Sequence, residues 1–591
     1  MCSILGYFNT SLTFEEIKNY NQKLSHRGPD NSSIKEYLFN GKKLYLGHNR
    51  LSIQDLSTAA NQPMENDRFA IVFNGEIYNH LEIRKELEFT NFQTHSDTET
   101  LLWSFSEFGI EKTVNLLNGM FAIALFDKIE QKLYLIRDRV GIKPLYYTYQ
   151  NEEFIFSSEV KGIRDDFKIR DEVSLVRFMS LGYIPNDKSY YKNIYKLPPA
   201  HYLIFDGKNI EIKRYWDLPR EKISISFDEA VEEVEYLLKD SVKKRLLADV
   251  EVGAFLSGGV DSSLVSAIMA KVSNNQIKTF TIGFNEKNYN EAKFAKKVAK
   301  YIGSDHFEYY FSAKDVLDLV EKIDYYFDEP FGDASALPTM LLSKITRENV
   351  TVALSGDGGD ELFLGYDRYF FTQKFYNIFK NVPFRVLLSY FCKIIPNDKC
   401  NKLFYPIKEL SNENLYAVIN TALKPWEIKD VFHKDFQMSF LQLADYKGEF
   451  ETIEDFSKFD FYRNLVDDIL VKVDRASMAY GLEARVPILD YRIVEFAYKL
   501  PQNIKLMNGT KSILKTILYK YVPKELIDRP KMGFGVPLRK WFRDELKDLL
   551  LDKINNLDEN IFNKKEILKR FYLHQKGANY EYLFWNLMRV K

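Results

Sequence analysis

The sequence predicts two α/β domains in series, on three observations. Residues 1–205 carry many short apolar runs and few helical stretches, which suggests stacked antiparallel sheets flanked by helices. Beyond residue 250, apolar runs alternate with helical patterns, as in a parallel, doubly wound sheet. The third observation is the apolar run 250–256. Two glycines and small hydroxyls follow it, and a helical stretch begins at Leu264.

In the first region the strand candidates are 44–48, 69–73, 120–126, 132–137 and 154–157, with helical patterns over 14–24 and 98–108. Residues 197–209 read as a hairpin turning at Asp206-Gly207, and the polar stretch 215–220 marks a domain boundary. A helix over 227–247 opens the second region. Strands at 278–284, 307–310 and 350–354 and a helix over 291–302 follow. The apolar run 384–392 is too short to span a membrane and reads as core. Residues 366–460 read as helical and aromatic-rich, and 540–591 as a helical tail packed on the second domain.

Composition narrows the function classes. A net charge of −1 in 591 residues gives no electrostatic footing for nucleic acid or acidic membranes. Three cysteines, Cys2, Cys392 and Cys400, cannot make a disulfide framework, so a reducing cytoplasm is expected. Residues 1–25 lack a basic segment followed by an apolar one, and no run reaches about 18 apolar residues, so neither a leader nor a membrane span is expected.

Two stretches carry chemistry. Around Phe255-Leu256-Ser257-Gly258-Gly259-Val260-Asp261-Ser262-Ser263, a strand end, a glycine turn and a helix N-terminus turn backbone N–H groups toward one point, an anion site. No lysine closes this loop, so it is not the common phosphate loop. Cys2 is the second. Removal of Met1 would leave a thiol and an α-amine of pKa about 8 on one residue, and that amine can act as base for its own thiol.

Five motifs stand around Cys2 in order: Arg27-Gly28-Pro29-Asp30, Gly47-His48-Asn49-Arg50-Leu51-Ser52-Ile53, Phe73-Asn74-Gly75-Glu76-Ile77, Ser96-Asp97-Thr98-Glu99-Thr100 and Arg137-Asp138-Arg139-Val140-Gly141-Ile142-Lys143-Pro144. Together they resemble the class II glutamine amidotransferase domain, an N-terminal-nucleophile αββα sandwich. The resemblance implies that Cys2 attacks the glutamine amide and that the Asn74 side chain and Gly75 N–H hold the oxyanion. It implies that Arg50 grips the carboxylate and Asp97 the ammonium, with Ile53 and Glu76 in the same pocket. Ser3 stands where the family usually has glycine.

Ser257-Gly258-Gly259-Val260-Asp261-Ser262-Ser263 resembles the pyrophosphate loop of ATP pyrophosphatases. With Asp328-Glu329-Pro330-Phe331-Gly332-Asp333, Ser355-Gly356-Asp357-Gly358-Gly359-Asp360, the run from Lys472 to Asp490, Lys511 and Arg529-Pro530-Lys531-Met532-Gly533-Phe534-Gly535, it is similar to glutamine-hydrolysing asparagine synthetases. That resemblance implies a doubly wound ATP-pyrophosphatase domain with a helical C-terminal part, over 219–591, after a glutaminase domain over 1–218. It implies ATP contacts at Phe255, Leu256, Ser257, Gly258, Gly259, Asp261, Ser262, Ile282, Ser355 and Gly356. Mg²⁺ falls to Asp261 and Asp360, the acyl-AMP step to Asp357, and phosphate charge to Lys511. Glutamine, ATP and aspartate are the implied substrates, in a homodimer. Two other readings compete: the same machine acting on another carboxylate, such as a uronic acid, and a non-catalytic nucleotide sensor. The sensor predicts erosion of Cys2, Arg50, Asp97, Asp261 or Lys511, and all five are present.

Overall fold

The computed structural model describes residues 2–284, 290–394, 398–529 and 535–591, without the side chains at 313, 314, 317, 392–394 and 398–402. Residues 530–534 of the last motif, and the side chains of Cys392 and Cys400, therefore lie outside the described residues.

Two six-stranded sheets come first. One runs, in spatial order, Ile194–Lys196, Tyr146–Gln150, Glu153–Ser157, Ser3–Phe8, Lys42–Arg50 and Asn31–Phe39. The other runs Ile210–Arg214, His201–Phe205, Lys132–Arg137, Gly119–Asp127, Phe69–Ile77 and Met64–Glu65. All neighbours in both pair antiparallel. Alternation along each strand sorts the side chains into layers. Ile4, Phe8, Ala70, Val72, Ala122 and Ala124 meet between the sheets. Leu5 and Tyr7 face outward onto Ile17 of the helix Phe14–Gln22. Ile71 and Phe73 face outward onto Leu101 and Phe105 of the helix Asp97–Leu116. The layers are helix, sheet, sheet, helix, as expected. The second helix outruns its expected span because a kink at Gly109, with φ of 74°, joins another helical segment to it.

The third sheet is wholly parallel: Asp305–Phe311, Lys278–Phe284, Val252–Phe255, Val352–Leu354 and Glu483–Arg485. Helices cover both faces. Ala353 and Phe280 pack with Leu337 and Met340 of the helix Ala336–Arg347. Ala254 and Leu354 pack with Val265 and Ile268 of the helix Val260–Val272. Chain order reverses between Val252–Phe255 and Val352–Leu354, and there an open parallel sheet leaves a crevice at its carboxyl ends. Both glycine-rich loops leave from these two strands.

The structure corrects two expectations and extends a third. The helix after the first glycine loop begins at Val260, not Leu264, so Asp261 and Ser262 sit in its first turn. The run 384–392 is not core. It belongs to the surface helix Arg385–Ile394 and its approach, with Phe384, Leu387 and Phe391 all more than half exposed. Val386, Leu387, Tyr390 and Phe391 recur at helical spacing on one face, and all four are exposed. The C-terminal tail packs on both halves: Phe584, Trp585 and Leu587 share a core with Phe178 and Met179 as well as with Phe284 and Phe311. No helix among the described residues is long and apolar enough to cross a membrane.

Candidate active sites

The first site is built by strand register. Ser3 pairs with Asn49, which sets Cys2 beside Arg50. Asn74, Gly75 and Glu76 come from the facing sheet, and Asp97 from the start of its helix. Cys2, Arg50, Ile53, Gly75, Glu76 and Asp97 line one cavity of about 30 Å³. That is room for a water or two and no more. Arg50 fills its own fork meanwhile: it donates to Ser57 O at 2.7 Å, Asn61 Oδ1 at 2.8 Å and Asp55 O.

Asn74 contacts the Cys2 nitrogen and does not line the cavity. The Cys2 N–H donates to Asn74 Oδ1 at 3.1 Å, which fixes the orientation of the amide. Its Nδ2 is buried with no hydrogen-bond partner among the described residues. A buried N–H donor is costly to leave unmet, so this one is held ready for an acceptor. Burial raises the Cys2 thiol, so a base must take its proton. Burial also pushes Asp97 up to about 6, although the Ile77 N–H donates to its Oδ2 at 2.8 Å. Ser3 lies on the other face of its strand. Its Oγ accepts from Asn49 Nδ2 at 2.9 Å and takes no part in lining the cavity, so it does not crowd the thiol.

Glu76 reaches the other half of the chain. Gln54 Nε2 donates to it, and Arg485 Nη2 approaches it at 3.4 Å. Burial and the Glu483 charge raise the Glu76 carboxyl well above its usual range. Arg485 is held in turn on Glu483 at 2.6 Å. Other motif residues join the halves too. Arg27 donates to Glu159 at 2.8 Å, to Asp474 at 2.8 Å and to the Cys2 carbonyl at 3.2 Å. Arg475 pairs with Glu159 at 2.5 Å and Lys143 with Asp474 at 3.4 Å.

The second site is a cavity of about 500 Å³ at the crevice of the parallel sheet. Its walls hold Phe255, Leu256, Ser257, Gly258, Gly259, Asp261, Ser262, Ile282, Ser355, Gly356, Asp357, Asp360 and Lys511. Every expected ATP-site residue is thus in one place. Gly258 has φ of 74°, and a Cβ there would stand 2.7 Å from Ala295 N, so no other residue fits. The Ser257 N–H donates to Ser262 Oγ at 3.2 Å, closing the loop. A Cβ on Gly356 would meet Ser262 N at 2.6 Å, so the two glycine loops touch. Lys511 Nζ pairs with Asp360 Oδ1 at 2.8 Å and with Asp261. Both carboxylates raise the lysine against the desolvation that lowers it. Ser355 Oγ donates to Asp357.

Several wall residues escaped the sequence reading. Lys472 pairs with Asp333 at 2.8 Å, and Asp357 adds to the field that keeps it charged. Glu291, Tyr366, Asp367, Lys515 and Arg529 also line the cavity. Lys472, Asp333 and Arg529 lay inside quoted motifs, and that position was the available signal.

An asparagine synthase family model matches residues 233–591, and a glutamine amidotransferase domain model matches residues 1–216. The chain belongs to the asparagine synthase family. Asparagine synthetase [glutamine-hydrolyzing] 1 of Bacillus subtilis (strain 168) is 32% identical, over 96% of this chain and 92% of that one. Asparagine synthetase [glutamine-hydrolyzing] 3 of the same organism is 31% identical, over 90% and 87%. A relative from Methanocaldococcus jannaschii, provisionally given the same enzyme name, is 38% identical over 81% of this chain and 98% of its own.

Proposed function

We propose that the chain makes L-asparagine from L-aspartate, L-glutamine and ATP, releasing glutamate, AMP and diphosphate. One observation carries this reading. The residues expected to bind ATP, and those expected to bind glutamine apart from Asn74, line two cavities of one chain, in a member of the asparagine synthase family.

At the first site, the Cys2 α-amine takes the thiol proton and the sulfur attacks the glutamine amide carbon. The oxyanion is met by Asn74 Nδ2 and the Gly75 N–H. Ammonia leaves with the transferred proton, and water hydrolyses the thioester to glutamate. Arg50 and Asp97 hold the two ends of the amino acid, with Ile53 and Glu76 beside them. Binding requires Arg50 to exchange its backbone carbonyls for the substrate carboxylate.

At the second site, an aspartate carboxylate oxygen attacks the α-phosphorus. The bond to the bridging oxygen breaks and diphosphate leaves, giving acyl-AMP. Phe255, Leu256 and Ile282 pack on adenine, and Ser355 and Gly356 hold the adenosine. Ser257, Gly258, Gly259 and Ser262 cradle the phosphates. Lys511 offsets their charge, and Asp357 orients the acyl group. Ammonia then attacks the acyl carbon and expels AMP. Asp261 and Asp360 both reach Lys511 Nζ, so both can reach one shared cation. Mg²⁺ suits such a pair, because it takes one or two carboxylates and completes its shell with phosphate oxygens and water. When bound it would supply charge neutralisation on the leaving diphosphate. Ammonia stays nucleophilic only if it stays unprotonated. Supporting this, Tyr78, Met120, Val140 and Ile142 of the first half share one apolar core with Leu256, Leu354 and Val486 of the second.

We divide the chain into a glutaminase domain, 1–218, and a synthetase domain, 219–591. The strand Ile210–Arg214 closes the second sheet and the helix Phe227–Lys244 opens the next half. We also assign it to the cytoplasm, where the Cys2 thiol stays reduced, and to a homodimer, on family resemblance. The test incubates the chain with ATP, Mg²⁺, glutamine and a panel of carboxylic acids and measures diphosphate. Release that depends on aspartate and matches the asparagine formed is expected. Release with another acid, such as a uronic acid, and none with aspartate would overturn the reading.

A further inference from the structure

The ATP-site cavity has a second cationic wall that the steps above leave unused. Arg529 lines it, with its side chain only 11% exposed. Its Nη2 pairs with Glu291 Oε1 at 2.7 Å. Its guanidinium lies over the ring of Phe294, 4.3 Å from the centroid. Its Nε and Nη1 are buried and have no hydrogen-bond partner among the described residues. Two unmet donors on a buried cation are expensive, so the group is arranged for an acceptor that comes and goes.

Position says which acceptor. Phe294 is the residue that Gly258 abuts: its Cβ stands 3.0 Å from where a Cβ on Gly258 would be. Arg529 is therefore one aromatic ring away from the glycine loop. Lys511 approaches the same loop from the Asp261 side. Lys472, by contrast, belongs with Asp357 and Asp333, where the acyl group is placed. A planar guanidinium with donors in fixed directions suits a polyphosphate better than a single point charge does.

We propose that Arg529, aimed by Glu291, binds the β- and γ-phosphates of ATP and retains diphosphate after it leaves, opposite Lys511 across the glycine loop. This rests on the reading of the cavity as the ATP site. Glu291 is then a positioning residue. It occupies one nitrogen and leaves Nε and Nη1 without a partner among the described residues.

The test uses the full chain with ammonia as nitrogen source, and measures product inhibition by diphosphate and by AMP. In Arg529→Ala, the inhibition constant of diphosphate and the KM of ATP should each rise about tenfold or more. AMP lacks the β- and γ-phosphates, so its inhibition constant should stay within about twofold. Arg529→Lys should fall between the two, and Glu291→Gln should weaken diphosphate less than Arg529→Ala does. Unchanged diphosphate inhibition in Arg529→Ala would overturn the proposal. Equal weakening of AMP and diphosphate in both Arg529→Ala and Arg529→Lys would also overturn it, since that reports a deformed cavity. Absence of any ATP–diphosphate exchange in the unaltered chain would instead refute the ATP-site reading itself.

Discussion

Replacing Asn74 with alanine separates catalysis from folding, because the two ends of its amide do different things. Oδ1 accepts the Cys2 N–H at 3.1 Å. Losing that acceptor leaves the buried Cys2 N–H unmet, which costs about 1–3 kcal/mol. Nδ2 is buried and without a partner among the described residues, and removing an unmet donor returns about 1–3 kcal/mol. The two contributions are of similar size and oppose each other, so the net change in stability is within about 2 kcal/mol in either direction. Thermal unfolding of a domain this size should then move by no more than about 8 °C. Turnover is another matter. Nδ2 meets its acceptor only when the oxyanion forms, so its loss falls wholly on the transition state. Removal of one such donor lowers kcat by about 10²–10³. The assay is glutamate release from glutamine, with ammonia-dependent asparagine formation measured beside it. A kcat within tenfold of the parent would refute the oxyanion role. A large drop in unfolding temperature would refute the claim that Nδ2 is held unpaired at a cost.

Other outcomes follow from the same geometry. Cys2→Ala should abolish use of glutamine while ammonia still supports synthesis; loss of both activities would contradict two separable sites. Lys511→Met should lower ammonia-dependent diphosphate release by about 10²–10³, since it removes the ammonium on which Asp261 and Asp360 converge, and should leave glutamate release unchanged. Burial pushes Asp97 up to about 6, and only the ionised form can hold an ammonium. Below that pH the proton neutralises it, so kcat/KM for glutamine should fall about tenfold per further pH unit. In Asp97→Asn this limb should vanish along with most of the affinity; a limb that persists there belongs to another group, such as the Cys2 amine.

Some of this architecture was readable in the chain because its signals are local. The strand 132–137 and the strand 278–284 are bounded by the residues their patterns suggested. The glycine loop announced itself, since a φ of 74° with a backbone nitrogen 2.7 Å from the Cβ position leaves only glycine. What was missed is what spacing cannot encode. The pairing of Arg529 with Glu291, or of Lys472 with Asp333, joins residues far apart in sequence, and a lone charged residue reads as surface. The run 384–392 misled for the opposite reason. Apolar composition says nothing of what covers a helix, and Phe384 is 80% exposed.

The strand Glu483–Arg485 shows why such omissions matter for function. Three residues with two charges carry no β signal, so it was invisible as a strand. Yet it completes the parallel sheet by pairing with Val352–Leu354, the strand that leads into Ser355, Gly356 and Asp357. Its Arg485 also approaches Glu76 in the glutamine pocket, and Glu483 contributes to the field at Cys2 and Asp97. One short strand therefore joins the sheet that carries the ATP-site loops to the buried charges beside the glutamine cavity. Sheet hydrogen bonds fix it on the ATP side, and buried charge fixes it on the glutamine side.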